Sequence, residues 1–327
     1  MKAVIFGATG YVGSAVGRAL LRRGCAVSGV TRAEGGGQDR LRDAGMRPLA
    51  IDYADVDRIV AAMQGQDIVV FSAALPWTHE QGMIARMLES LEGSGRTFLY
   101  TSGTGVLAIP NKAGTWDENV FAEDDPFPFT PTPTSAVRLR TEEMVRRAAD
   151  RGLRAIVVRP GLIWGHGASL QIPRIFDSAM RTGKACYIGH GLNLYSNVHV
   201  DDLAEVFALA SEKGVPGAVY HAVAGEANFR SLAEAVAQVV GCRAGSVTYE
   251  EACQIWPSAW VDMALAVNSR SRSPRTRSEL GWSPKHVDVV EDIRSGSYRD
   301  TYAARTGWAA NGYRYGGAHG DHPGGPI

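Results

Sequence analysis

Glycines at positions 7, 10 and 13, in the stretch GATGYVG, stand where the apolar run KAVIF gives way to a helical one. That spacing suits a phosphate chain: Gly7 permits a tight turn, Gly10 lets the main chain approach a pyrophosphate, and Gly13 lets helix pack on strand. The helix start, with the amides of Thr9, Tyr11 and Val12, then faces the anion. A dinucleotide-selecting carboxylate is expected about 20 residues further on, where the chain has VTRAEGGG instead. Arg32 there fits an adenosine 2′-phosphate and points to NADP. Glu34 holding a ribose would leave NAD open. In AIDY, Asp52 and Tyr53 suit an adenine, and in SAAL the small Ala73 and Ala74 let the main chain pass a cofactor.

Other groups bear on catalysis. Thr134 and Arg138 stand four apart in TPTSAVRLRTEEMV, residues 132–145, which reads as the opening of an amphipathic helix. A threonine hydroxyl is too weak an acid to give a proton near neutral pH, and a guanidinium does not release one. Ser102 and Thr104 offer hydroxyls that polarise a substrate oxygen without proton transfer; a strand-end hydroxyl bonded to main chain is the plainer account of Ser102. Tyr195, in LNLYSNVHVDD, is either a phenolic donor or an apolar wall, and His199 reads as a buried structural histidine. Trp77 and His79 follow the fourth strand, and Trp116 lies in the proline-rich loop 111–134, which is a lid or a surface connector. Aromatics facing a cavity would imply a flat, apolar substrate.

The elements that must position these groups alternate. Strands read at KAVIF, AVSGVTR, MRPLAID, DIVVFSAAL, RTFLYTSGTG and LRAIVVRPGLIWG, with helical stretches between. Apolar strands separated by helices indicate an α/β fold: a doubly wound parallel sheet covered on both faces. The expected division is a dinucleotide-binding domain over 1–165 with a return segment near 193–222, a smaller substrate lobe over 166–303 and a flexible tail over 304–327. SLAEAVAQVVG is a helix whose Ser231 and Glu234 fit a capping box. His319 and His322 in the tail are metal candidates, with a solvated tail the plainer reading; no metal site is expected elsewhere.

The chain has 327 residues, zero formal net charge and 45% hydrophobic residues. Nothing in this balance points to nucleic acid or an anionic membrane as a partner. No apolar run is long enough to span a bilayer, the N-terminus carries no cleavable signal pattern, and four scattered cysteines read as reduced thiols. The expectation is a cytoplasmic protein acting on a small-molecule substrate.

Taken together, these residues resemble the extended short-chain dehydrogenase/reductase family of the NAD-dependent epimerase/dehydratase type. GQDIVVFSAA and LYTSGTGVLA are similar to its fourth- and fifth-strand signatures, VVRPGLIWGHG to its RPxxxYG element, NVHVDDLAEVFALA to HVxDLA, and SELGWSP to LGWxP. The resemblance covers residues 1 to about 300. It implies a Rossmann domain with substrate held against a C-terminal lobe, and Pro160 and Gly161 beside the cofactor. It also implies a Tyr-x-x-x-Lys pair and a serine. Here Thr134 takes the tyrosine position, Arg138 the lysine position and Gly103 the serine position. Arg138 still suits the ribose hydroxyls. The family arginine that binds nucleotide-sugar phosphate is Tyr195, which argues against a nucleotide-diphosphate sugar. Helix pairing of the family kind would give a homodimer; Glu142–Arg146 and Glu143–Arg147 would suit an exposed helix face equally.

Three activities fit: an NADP-dependent oxidoreductase on a small, largely apolar metabolite; a non-redox isomerase, dehydratase or cyclase; and an NmrA-like dinucleotide sensor. With the phenol missing, reduction of an activated C=C or C=N bond is easier than that of a simple ketone.

Overall fold

The computed structural model describes residues 1–32 and 36–303. Glu34 and the tail histidines lie outside the described residues. The first half runs as β1 (Lys2–Phe6), α1 (Tyr11–Arg22), β2 (Ala26–Thr31), α2 (Gly37–Asp43), β3 (Arg47–Ala50), α3 (Val56–Met63), β4 (Ile68–Phe71), α4 (Trp77–Leu91), β5 (Thr97–Thr101), β6 (Ile109–Pro110) and α5 (Pro133–Arg147). Then follow β7 (Arg154–Pro160), β8 (Leu162–Trp164), α6 (Ile172–Thr182), β9 (Lys184–Ile188), β10 (Leu194–His199), α7 (Val200–Lys213), β11 (Val219–Ala222), β12 (Gly225–Asn228), α8 (Phe229–Val240), β13 (Arg243–Val247) and β14 (Val267–Asn268), with short helices around them.

Seven strands form one parallel sheet in the order β11-β7-β5-β4-β1-β2-β3. Its middle strands are buried on both faces, which is why they are apolar throughout rather than alternating. One face packs on α1 and α7, the other on α3, α4 and α5. The order reverses between β1 and β4, so a crevice is expected at the carboxyl ends of these strands.

The C-terminal residues build a second apolar cluster from α6, α8 and the helices around Trp256, Trp260, Tyr298 and Tyr302. Two points differ from the sequence reading. LRAIVVRPGLIWG is two strands, because a Cβ on Gly161 would stand 2.2 Å from the Ser196 carbonyl oxygen. The main chain passes too closely there to continue the sheet, so β8 leaves it and pairs with β10. Of the expected return segment, α7 and β11 rejoin the large sheet, whereas β10 lies between β8 and β12 in a separate three-stranded sheet. The cap of α8 is also different: Asn228, not Ser231, accepts an amide hydrogen bond, from Ser231 N at 2.7 Å. A capping box does occur, at Thr248 and Glu251.

No helix among the described residues is long and apolar enough to cross a membrane.

Two buried histidines tie the parts together. His199 caps α7, its Nδ1 accepting from Asp201 N at 3.2 Å, and its ring stacks on His286 at 4.1 Å. His221 on β11 is fully buried between Arg159 and the Arg272 carbonyl. Burial, followed by the Arg159 charge, pushes His221 down to about 4; burial and the neighbouring His286 do the same for His199. Their unfolded pKa is about 6.5, so the unfolded chain binds more protons between these values. Stability is therefore full above pH 6.5 and is lost as pH falls towards 4. The urea midpoint should drop between pH 7 and 5, His221 accounting for roughly 2 kcal/mol. His221→Gln should flatten that slope in the same titration.

Candidate active site

The glycine turn is built for close approach. Gly7 has φ +85°, and a Cβ on it would meet the Ser72 carbonyl oxygen at 2.5 Å; one on Gly13 would stand 2.2 Å from the Gly7 carbonyl oxygen. Helix α1 starts on Gly10 with no side-chain cap and no acidic residue in its first turn. By contrast α3, α5 and α8 are capped by Asp55, Thr132 and Asn228. An uncapped helix start beneath a glycine cradle leaves N–H groups for an external anion. The residues present therefore fit the diphosphate of a dinucleotide.

Around this turn, Tyr53 is half-buried, and its hydroxyl accepts from Gly7 N at 2.8 Å. Burial pushes the Tyr53 phenol up to about 12 against the effects of Gly7 N and the Arg32 charge. Arg32 stands exposed just beyond β2, and Asp52, also exposed, caps a turn by accepting from Ala54 N at 2.9 Å. Ala73 and Ala74 follow β4 beside Gly7. Tyr11 reaches across to the segment after β8, donating to the carbonyls of Gly165 at 2.7 Å and Ala168 at 3.2 Å. His166, His199 and Asp201 approach one another in that region. His166 pairs with Asp201 at 2.8 Å, and His199 Nδ1 accepts from Asp201 N.

At the carboxyl end of β5 lies a second constellation. Arg138, from the middle of α5, donates through Nη2 to the Thr101 carbonyl at 2.8 Å and through Nε to Ser102 Oγ at 3.4 Å. Its guanidinium stands 3.6 Å from Glu80 and about equally far, 5.5 and 5.6 Å, from the ring centroids of Trp77 and Tyr100. Tyr100 is fully buried and donates to Glu80 at 2.5 Å. Burial raises the Glu80 pKa, opposed by Arg138 and Tyr100. One turn along, Glu142 is buried and accepts from the Nε of Arg159 at 3.0 Å and from Ser102 Oγ.

Several expectations change here. Ser102 gives its proton to the Glu142 carboxylate, so it faces Arg138 as an acceptor and does not polarise a substrate as a donor. Thr134 is exposed in the first turn of α5, and its hydroxyl makes no hydrogen bond among the described residues. Glu142 is not the surface partner of Arg146; only Glu143 pairs with Arg147, at 2.7 Å. Trp116 is 57% exposed and lies 5.8 Å from Arg270, facing solvent rather than the β5 edge. Loop 111–134 is bonded to the C-terminal residues through Asn111 N to Ala266 O and Phe121 N to Arg270 O, as a connector would be.

Thr104 and Tyr195 do meet. Thr104 is fully buried and receives Ser269 Oγ, 3.3 Å from its hydroxyl. The Tyr195 phenol packs against Gly105, and burial raises its pKa, opposed by Ser269 and Thr104. Pro160 closes β7, and Gly161 follows it towards this edge. Sequence reasoning missed Glu80, Arg159, His221 and Ser269. Glu80 had a signal: it is the one carboxylate in the buried stripe Glu80, Met83, Ile84, Met87, Leu88, Leu91 of α4.

Removing one partner of a buried pair leaves the other uncompensated, so Glu142→Ala should lower unfolding stability by about 3–5 kcal/mol. Denaturant titration measures this. Glu80→Gln frees the Arg138 guanidinium, and NADPH affinity by nicotinamide fluorescence should fall about tenfold, as it should in Arg138→Ala. Unchanged affinity in both would remove Arg138 from the cofactor site.

The sequence matches the NAD dependent epimerase/dehydratase family over residues 3–223. It is 30% identical over 311 residues to an uncharacterised protein of Saccharomyces cerevisiae, covering 90% of this chain and 98% of that protein. It is also 30% identical over 248 residues to a 2-alkyl-3-oxoalkanoate reductase of Stenotrophomonas maltophilia, covering 72% and 71%. Among solved structures, dTDP-glucose 4,6-dehydratase from Bacillus anthracis, in complex with NAD, superimposes with a TM-score of 0.73 at 16% identity, over 93% of this chain and 98% of that one. With the glycine turn, the parallel sheet and the family match in agreement, this chain belongs to the NAD-dependent epimerase/dehydratase family of extended short-chain dehydrogenase/reductases.

Proposed function

We propose that the protein is an NADP-dependent reductase acting on a carbonyl group of a small, largely apolar molecule. The observation that carries the reading is the start of α1 over the Gly7–Gly10–Gly13 cradle, an anion seat that no side chain among the described residues caps. The likeness to a 2-alkyl-3-oxoalkanoate reductase supports 3-oxo compounds as the substrate class. When bound, the nicotinamide supplies a hydride equivalent.

In this reading Gly10, Tyr11, Val12 and Gly13, with Thr9, hold the diphosphate by main-chain N–H groups. Asp52 and Tyr53 flank the adenine, and Ala73 and Ala74 leave room for the ribose-phosphate chain. Arg32 takes the adenosine 2′-phosphate, since it is exposed at the end of β2. Arg138, fixed by Thr101, Ser102 and Glu80, donates to the nicotinamide ribose, and Pro160 and Gly161 border the nicotinamide. Trp77 screens the guanidinium from water and offers an apolar wall.

A second reading, a non-redox isomerase or dehydratase, is favoured by one observation: α5 presents no proton donor at this edge, because Thr134 faces solvent. Deuterium transfer from the nicotinamide 4-position into product separates the two. Label in the product supports the reductase, and unlabelled product formed without net cofactor oxidation overturns it. Arg32→Ala should cut the ratio of NADPH to NADH affinity by about tenfold, consistent with loss of a charge-assisted phosphate contact; an unchanged ratio removes the NADP assignment.

A further inference from the structure

We propose that Tyr195, on β10, is the proton donor of this site, resting on the reductase reading above. Strand β10 is held in register from both sides, with Tyr195 opposite Ala227 of β12 and bridged to Ser269. This fixes the ring inward, with the residue 7% exposed and edge-on to Phe229. Its hydroxyl would lie 3.3 Å from a Cβ on Gly105, so the phenol has settled where that glycine leaves room. Gly105 follows Thr104 at the carboxyl edge of β5, next to the Ser102–Arg138 contact.

Elimination among the described residues supports the choice. Ser102 gives its proton to Glu142 and Tyr100 gives its own to Glu80. Tyr11 bonds the Gly165 and Ala168 carbonyls, and Tyr53 lies against the glycine turn instead. Arg138 stays protonated throughout. The Tyr195 hydroxyl is the phenol at this edge whose proton is not given to a carboxylate or a main-chain carbonyl. Ser269 Oγ donates to the Thr104 carbonyl at 3.2 Å and to Thr104 Oγ at 3.3 Å, which leaves the Thr104 hydroxyl hydrogen free to turn towards the phenol oxygen. A hydroxyl donating to that oxygen stabilises it as an anion.

With the dinucleotide bound, its nicotinamide would give a hydride to the carbonyl carbon, forming the new C–H bond, and the π electron pair of the C=O bond would pass to the substrate oxygen. The phenol O–H bond breaks, its proton forms a new O–H bond on the substrate, and the electron pair stays on the phenol oxygen. Thr104 donates to that oxygen until water returns a proton after product leaves. Burial keeps the phenol protonated at neutral pH, despite the two hydroxyls.

The test pairs activity with titration. With NADPH and ethyl acetoacetate or longer 3-oxo esters, Tyr195→Phe should lose at least about a hundredfold in kcat. Its NADPH affinity, read by fluorescence, should stay within about twofold. In the cofactor-free chain carrying ¹³C-labelled tyrosine, the resonance missing from Tyr195→Phe identifies the phenol, and Thr104→Ala should move its titration to higher pH. Wild-type turnover with undiminished Tyr195→Phe turnover overturns Tyr195 alone, and an unmoved resonance breaks the hydroxyl link. A wild-type chain that binds NADPH but reduces none of the esters overturns the reductase reading and the Tyr195 role with it.

Discussion

A carboxylate with almost no contact with water governs the catalytic edge. Glu142 is 2% exposed, and bringing it into the interior costs several kcal/mol that only full pairing offsets. It meets the Arg159 guanidinium through both oxygens and takes the Ser102 proton as well. Arg159 in turn touches His221, whose other nitrogen faces the Arg272 carbonyl. One ionic group thereby fastens α5 to β5, β7 and β11. Because Arg138 stands one turn before Glu142, the same bond fixes where its guanidinium reaches. The geometry of the crevice follows from this buried pair.

Much of this was legible in the residues and some was not. The first five strands and their helices read directly, because a sheet buried on both faces demands unbroken apolar runs and the glycine turn marks the first crossover. Gly161 was read only as part of a motif; that β8 breaks away there depends on the Ser196 carbonyl, which is distant in sequence. Charges at 142, 143, 146 and 147 satisfy helical pairing in either direction, so periodicity alone could not say that Glu142 turns inward and Glu143 outward. Ser269 had no local signal, since it joins Thr104 across 165 residues.

The resemblance carried the fold further than the chemistry for a related reason. A sheet tolerates exchanges at its carboxyl edge without altering its strand order, so the apolar pattern persists while the edge groups change. Arg138 occupies the lysine position of the resemblance, yet Glu80, which pairs with it, comes from α4 and belongs to no motif, and Tyr100, which donates to Glu80, sits in the fifth-strand signature without marking that role.

In the proposed site, charge holding and proton giving are divided between different parts of the fold. In a phenol–ammonium pair on one helix, the cation lowers the phenol pKa and makes it ready both to give and to take a proton. Here the fixed cation is neutralised by Glu80, and the groups acting on the Tyr195 phenol are burial and two neutral hydroxyls. Neutral donors stabilise an anion less than a cation does, so burial prevails and the phenol stays protonated. In the proposed reduction the protonated phenol is the form that gives its proton to the substrate oxygen, and by microscopic reversibility the phenolate left behind is the form that would take it back. The two directions therefore need opposite protonation states of the same group, while the equilibrium between them is set by the reactants alone.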